Sequence, residues 1–239
     1  MGYRIAGELV FTEDETESAT ELINSFFNDW DQYQKKTIAS IKNEIGLEKV
    51  IELINSLQGM KVLVVGEPII DTYVFCNPQN LSSKSPSISA NYIYEENYAG
   101  GSWAVARHLS ALGCDVTLMA PTGNDNCTKE ILKDYKRNSN VRVLDIETTE
   151  APTPHKIRYI SPFMNQRMFE LTHLKSNAWI NLKLSDFSLK FEKESRKAES
   201  LLVLDFGHGL WEGPRLEMLE NLKVFTALNV QTNSGNYGY

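Results

Sequence analysis

The 239 residues include only three cysteines, Cys76, Cys114 and Cys127. They are odd in number and widely spaced, and they form no CxxC pair and no cysteine–histidine cluster of zinc-ligand spacing. That excludes a disulfide-stapled module and a zinc finger, and points to reduced thiols in the cytoplasm. No apolar run approaches the roughly 20 residues that span a bilayer. Met1-Gly-Tyr-Arg-Ile-Ala6 lacks the apolar stretch and cleavage pattern of a secretory signal. Basic side chains are in the minority, 24 Lys and Arg against 31 Asp and Glu, for a net charge of −7. Clustered Lys and Arg are what phosphate neutralisation demands, so neither nucleic acid nor a membrane is expected as a partner. Neither GxGxxG nor GxxxxGK[ST] occurs, which removes a dinucleotide fingerprint and a P-loop. What remains is 42% apolar and 23% charged residues, the balance of a folded chain rather than a disordered one. The length suits one large domain or two small ones.

The first 58 residues differ in character from the rest. Glu8-Leu-Val-Phe11 reads as a short strand. Leu22, Ile23, Phe26, Phe27 and Trp30 recur at helical spacing, with Ser18 or Thr20 as the cap. Ile38, Ile41, Ile45, Val50, Ile51, Ile54 and Leu57 carry further helical patterns, broken at Gly46 and stopped by Gln58-Gly59. This segment is expected to be a helical linker or a dimerising element. At Met60 the texture changes. Lys61-Val-Leu-Val-Val65 is β-branched and apolar throughout, the pattern of a central parallel strand buried on both faces. Tyr73 to Tyr98 is polar and aromatic with partial alternation, an antiparallel excursion. A helix is then expected over 102–112, a strand over 115–120, a helix over 128–137 and a strand over 141–146. Short strands over 155–160 and 168–171, a helix over 189–199, a strand over 201–204, a helix over 214–222 and a strand over 224–230 complete the pattern. Such alternation predicts an α/β fold with an open, mainly parallel sheet flanked by helices.

Ligands of such sheets bind beyond the carboxyl ends of the strands, and three groups fall there. Asp71, a few residues after the first buried strand, reads either as an acceptor for two hydroxyls of a polyol or as a turn cap. Gly100-Gly101 reads either as a close backbone approach to a ligand at a helix start or as a tight turn. Asp205-Phe-Gly-His-Gly209 reads either as a ligand- or water-holding turn or as a plain glycine turn; His208 in it has no paired Ser or Cys nucleophile. Lys156, Arg158 and Arg167 lie on strands that fold over this end, where they suit a phosphorylated substrate or form a solvated face.

In this order the segments resemble the PfkB/ribokinase family of carbohydrate kinases, in particular its heptose-phosphate kinase branch. The resemblance rests on Val62-Leu-Val-Val-Gly-Glu-Pro-Ile-Ile-Asp71, Ser83-Lys-Ser-Pro86, Gly100-Gly-Ser-Trp-Ala-Val-Ala106, Ala111-Leu-Gly113, Gly123-Asn-Asp125 and Asp205-Phe-Gly-His-Gly209. It implies a ribokinase-like domain over 59–239 with a small β lid, the excursion from Tyr73 to Tyr98. It also implies ATP-dependent phosphorylation of a sugar or sugar phosphate with Mg²⁺. By the same resemblance Asp71 and the backbone of Gly100 and Gly101 contact sugar hydroxyls. Lys156 and Arg158 face a substrate phosphate, and Asp205 borders the site.

Two departures accompany the match. The family's Asn after the double glycine is Ala104, with the bulk of Trp103 beside it. The G-A-G-D run that carries the family's catalytic base and anion hole does not occur in the 239 residues. The expectation is therefore a chain holding the sugar side of such a domain and inactive by itself. The loop-like Asn233 to Tyr239 lies where the family goes on toward its nucleotide side. Gly7 to Asn24 carries a weaker resemblance, to the tail of a nucleotidyltransferase domain of the kind fused to such kinases; 1–58 is read either as that tail or as a helical extension with no enzymatic ancestry. The alternatives are a sugar-binding regulatory module of the same fold and a scaffold that dimerises through the lid or the N-terminal helices.

Overall fold

The computed structural model describes residues 32–79, 89–148, 151–163, 166–175, 179, 182–220 and 222–231. The expected strand at 8–11, the helix ending at Trp30, Ser83 to Pro86 and the terminal Asn233 to Tyr239 lie outside these. Two compact units are formed, Met1–Glu52 and Leu53–Tyr239. The described part of the first holds helix α1 (Gln32–Glu44) and the start of α2 (Gly46–Asn55). The break falls at Gly46, whose φ of 74° is costly for any other residue. Neither helix buries a residue.

The second unit is built on a five-stranded sheet of β1 (Lys61–Gly66), β4 (Asp115–Gly123), β5 (Arg142–Thr148), β8 (Ser200–Asp205) and β9 (Phe225–Val230), in the order β5-β4-β1-β8-β9. Every pairing in it is parallel. β1 shows why: its side chains feed opposite faces by turns. Val62 and Val64 join a core with Trp103, Ala106 and Tyr135, supplied by α3 (Ser102–Ala111) and α4 (Asn126–Asn138). Leu63 and Val65 join Trp179, Phe187, Phe191 and Trp211 on the other face, where α5 (Leu184–Ser195) packs. With both faces covered, only apolar residues fit along the strand. The sheet is therefore the expected one, in three layers.

A second, four-stranded sheet holds β2 (Pro68–Pro78), β3 (Ala90–Gly101), β6 (His155–Ser161) and β7 (Gln166–His173), in the order β3-β2-β6-β7. β2 pairs antiparallel with β3 and parallel with β6, and β7 returns antiparallel along β6. The excursion read from the sequence is thus half of a small sheet, and β6 with Lys156 and Arg158 and β7 with Arg167 are its other half.

Three boundaries differ from the sequence pattern. α5 begins at Leu184, not Leu189, because Phe187 and Phe191 share its buried face; a later start would strand Phe187. It stops at Ser195, where Lys197 and Ala198 N–H close on the Glu194 carbonyl and turn the chain into β8. α6 (Pro214–Glu217) is a single turn. β4 runs through Pro121 to Gly123. Past Met119 it has only β5 beside it, and such edge positions tolerate proline.

Candidate functional site

The turn after β8 is gripped from two sides. Glu67, the residue after β1, is fully buried. Its Oε2 accepts the Phe206 N–H at 2.7 Å, and its Oε1 accepts the N–H groups of His208 at 3.0 Å and Leu210 at 2.9 Å. Arg215, also buried, donates Nε to the Leu210 carbonyl at 2.5 Å, Nη2 to Gly209 at 3.3 Å and Nη1 to Leu182 at 3.4 Å. An acid thus holds the N–H groups of the turn and a base holds its carbonyls. Gly207 and Gly209, at φ of 80° and 89°, permit the winding this requires. Asp205 is buried at the strand end, and its Oδ1 accepts the Gly207 N–H at 2.7 Å.

Burial dominates the electrostatics here. It pushes the Glu67 carboxyl up to about 7, against the opposing pull of the Leu210, His208 and Phe206 N–H groups and with help from the Asp205 charge. Burial, then the Lys156 ammonium, pushes His208 down to about 4. The His208 Nδ1 stands 3.7 Å from Glu67 Oε2 and has no hydrogen-bond partner.

Asp71 lies in β2, opposite Tyr98 of β3 and beside Lys156 of β6. Its carboxylate leans over Gly100: a Cβ at Gly100 would stand 2.1 Å from Asp71 Oδ2. Arg158 Nη1 donates to Asp71 Oδ1 at 2.5 Å, its Nε pairs with Glu170 at 2.9 Å, and the guanidinium carbon stands 5.4 Å from the Tyr73 ring centre. Burial by itself would lower Arg158, but the Asp71 carboxylate outweighs it and raises the group. Arg167 reaches Glu170 at 3.2 Å and contributes to this network only at its edge. Gly101 has φ of 57°, and a Cβ there would stand 2.6 Å from the Glu67 carbonyl, which accepts the Ser102 N–H at 3.0 Å. Glu67 therefore joins the end of β1, the start of α3 and the β8 turn.

Of the residues singled out from sequence, Asp71, Gly100, Lys156 and Arg158 share one region on the small sheet. Gly101 and Asp205 are tied to it through Glu67 and the turn. Gly123 and Asp125 form a junction instead. Asp125 caps α4, accepting the Thr128 N–H at 2.9 Å and its hydroxyl at 2.6 Å. Gly123 leaves room for the backbone at Thr153, whose Oγ1 accepts its N–H at 2.9 Å. The expected bulk of Trp103 beside Ala104 is corrected: the indole is fully buried in the core, and the Trp103 carbonyl accepts the Tyr135 hydroxyl at 2.8 Å. Ala104 stays half-buried.

Glu67 and Arg215 were not singled out from the sequence. An acid directly after a buried strand, followed by proline, was the available sign for Glu67. Arg215 carries no such sign, since one arginine after Pro214 reads as a solvated helix start. Two cavities, of about 840 Å³ beside Phe191, Met218 and Val224 and about 330 Å³ beside Lys61, Asp115 and Arg142, lie at the amino ends of the strands, away from this chemistry. Among the described residues no three of His, Cys, Asp or Glu stand together as a metal site, and no helix is long and apolar enough to cross a membrane.

No family model matches the chain. Curated relatives do. It is 30% identical over 175 residues to the bifunctional protein HldE of Campylobacter jejuni subsp. doylei, covering 73% of this chain and 35% of that one. It is 33% identical over 100 residues to the D-β-D-heptose 7-phosphate kinase of Bordetella bronchiseptica, covering 42% of this chain and 32% of that one. The chain thus spans about a third of the length of these relatives. Among solved structures, a candidate 1-phosphofructokinase from Thermotoga maritima superposes with a TM-score of 0.52 at 13% identity, over 70% of this chain and 53% of that one, a likeness of fold.

Proposed function

We propose that this chain, a relative of the heptose-phosphate kinases with the fold of the PfkB/ribokinase carbohydrate kinases, supplies the sugar-binding side of an ATP-dependent sugar kinase. The reaction is transfer of the ATP γ-phosphoryl group to a hydroxyl of a heptose-phosphate-like substrate, in the cytoplasm. The observation that carries the reading is the Asp71 carboxylate laid over Gly100 beside two basic side chains of β6, Lys156 and Arg158.

Asp71 accepts hydroxyl hydrogens of the sugar, and Gly100 and Gly101 let the ring lie against backbone. Asp205 and the clasped turn close the floor. In the free chain Arg158 neutralises Asp71. When a sugar phosphate enters, hydroxyls take the place of Arg158 on Asp71, and the guanidinium turns with Lys156 to the phosphate. The small sheet acts as a lid that excludes water. Its exposed Tyr92, Ile93, Tyr94 and Tyr98 suit a homodimer formed through it. No G-A-G-D run occurs in the sequence, so the 239-residue chain alone is expected not to transfer phosphate.

The test is to map D-β-D-heptose 7-phosphate onto the isotope-labelled chain by amide chemical shifts. Saturable shifts at Gly100, Gly101, Asp205 and Gly207 are expected. Shifts confined to the cavity beside Phe191 and Met218, or none at all, would overturn the proposal.

A further inference from the structure

The grip of Glu67 on the β8 turn has no counterpart elsewhere among the described hydrogen bonds: one buried carboxylate accepts three backbone N–H groups from residues two apart, Phe206, His208 and Leu210. Such an arrangement does two things. It satisfies donors that a glycine turn leaves without ladder partners, and it fixes their common direction around a point charge. Asp205 is the residue before the first of these donors and is itself bonded to Gly207 inside the turn. Moving the turn moves Asp205.

The clasp is built from one side with a hinge and from the other with a brace. The Glu67 carbonyl is held by Ser102 N–H under Gly101, so its backbone cannot follow the turn. Arg215 binds the Gly209 and Leu210 carbonyls, so the turn has a second anchor when the first is lost. The grip can therefore open locally without unfolding the sheet.

We propose that Glu67 is a positioning residue of the sugar site: its ionised carboxylate holds the Phe206–Leu210 turn in the form that presents Asp205 and Gly207 to a sugar, and protonation of that carboxylate releases the turn. A protonated carboxyl has lost its charge and carries an O–H donor on one oxygen, so it holds the three N–H groups more weakly than the carboxylate does. The groups facing it are few. Asp205, on β8, disfavours its charge. The imidazole of His208 stands 3.7 Å away with an unpartnered Nδ1. Burial, and after it the charge of Lys156 on β6, keeps His208 from charging. Burial brings the Glu67 carboxyl to about 7, so the change falls in the range where cells operate.

The inference deepens the sugar-site reading and rests on it, so two readouts are taken. In the ligand-free labelled chain, the amide resonances of Phe206, His208 and Leu210 are followed from pH 5.5 to 8.5. A shared titration is expected, absent in Glu67→Gln and kept in His208→Asn. The affinity for D-β-D-heptose 7-phosphate is then measured by calorimetry over the same range. A fall of roughly tenfold toward acid is expected in the parent and in His208→Asn. Turn amides that do not titrate together, a titration lost in His208→Asn, or an affinity flat with pH while the turn titrates would each overturn the role of Glu67. A turn that titrates in a chain that binds the sugar at no pH overturns the sugar-site reading instead. Should Glu67→Gln fail to fold, the parent and His208→Asn decide the question.

Discussion

Adding one methyl group to either glycine of the Gly100-Gly101 pair should separate folding from binding. At Gly101 the new Cβ meets backbone: it would stand 2.6 Å from the Glu67 carbonyl oxygen and 3.0 Å from the Ile69 nitrogen, at a φ of 57°. The backbone region costs about 1–3 kcal/mol for a residue with a Cβ. Relieving the overlap costs about 1–3 kcal/mol more, since the neighbours met are backbone, the Glu67 carbonyl and β2 at Ile69. Gly101→Ala is therefore expected to lose roughly 4 kcal/mol, a large share of the stability of a domain. At Gly100 the nearest atom is the end of a side chain, Asp71 Oδ2 at 2.1 Å, with the Ile69 carbonyl next at 3.2 Å. Gly100→Ala should move the carboxylate, cost about 1 kcal/mol, and weaken sugar binding at least tenfold. Urea unfolding by circular dichroism reads the first quantity and calorimetric titration with sugar phosphate the second. A Gly101→Ala chain within 1 kcal/mol of the parent, or a Gly100→Ala chain that binds as the parent does, would refute the reasoning.

Two further expectations follow from the buried charges. Glu67, raised from 4.5 to about 7, adds stability that is fully present below pH 4.5 and lost as pH rises through about 7, about 3 kcal/mol in all. His208, lowered from 6.5 to about 4, adds a similar amount above pH 6.5 that is lost as pH falls through about 4. Between pH 4.5 and 6.5 the two oppose, so the parent's urea midpoint should be nearly flat. Glu67→Gln should gain stability with rising pH there and His208→Asn should lose it; slopes of the same sign in both variants would contradict the assignment. Arg215→Leu leaves the buried Gly209, Leu210 and Leu182 carbonyls without their donor and should cost about 3 kcal/mol; a loss under 0.5 kcal/mol in urea unfolding would show that the brace is redundant.

How much of this was legible in the sequence depended on whether the determining contacts were local. The parallel sheet was legible because burial on both faces forces an unbroken apolar run, as in Val62 to Val65. The break at Gly46 and the glycine pair at 100–101 were legible because a missing Cβ is itself a signal. The small sheet was only half seen: β6 carries Lys156 and Arg158 at alternate positions, and nothing local says that β6 pairs with β2. The mutual binding of Asp71 and Arg158, 87 residues apart, is a product of that pairing. α5 was misplaced because Ser185, Asp186 and Ser188 are weak helix formers, and tertiary burial of Phe187 overrode them. The bulk of Trp103 was read beside Ala104 because the first turn of a helix was legible, while the burial of the indole against Tyr135 depends on another helix. Glu67 and Arg215 act on a turn some 140 and 5 residues away respectively; the place of Glu67 after a buried strand was a sign of the acid but not of its partner, and Arg215 carried no sign.

The sugar-binding reading is tested most directly by exchanging one charge. Asp71→Asn keeps the shape of the side chain over Gly100 and removes the acceptor charge that hydroxyls and Arg158 share. Titration of D-β-D-heptose 7-phosphate by calorimetry should give saturable heat with the parent and at least a tenfold weaker isotherm with Asp71→Asn, whose circular dichroism is unchanged. Equal affinities in the two chains would contradict it.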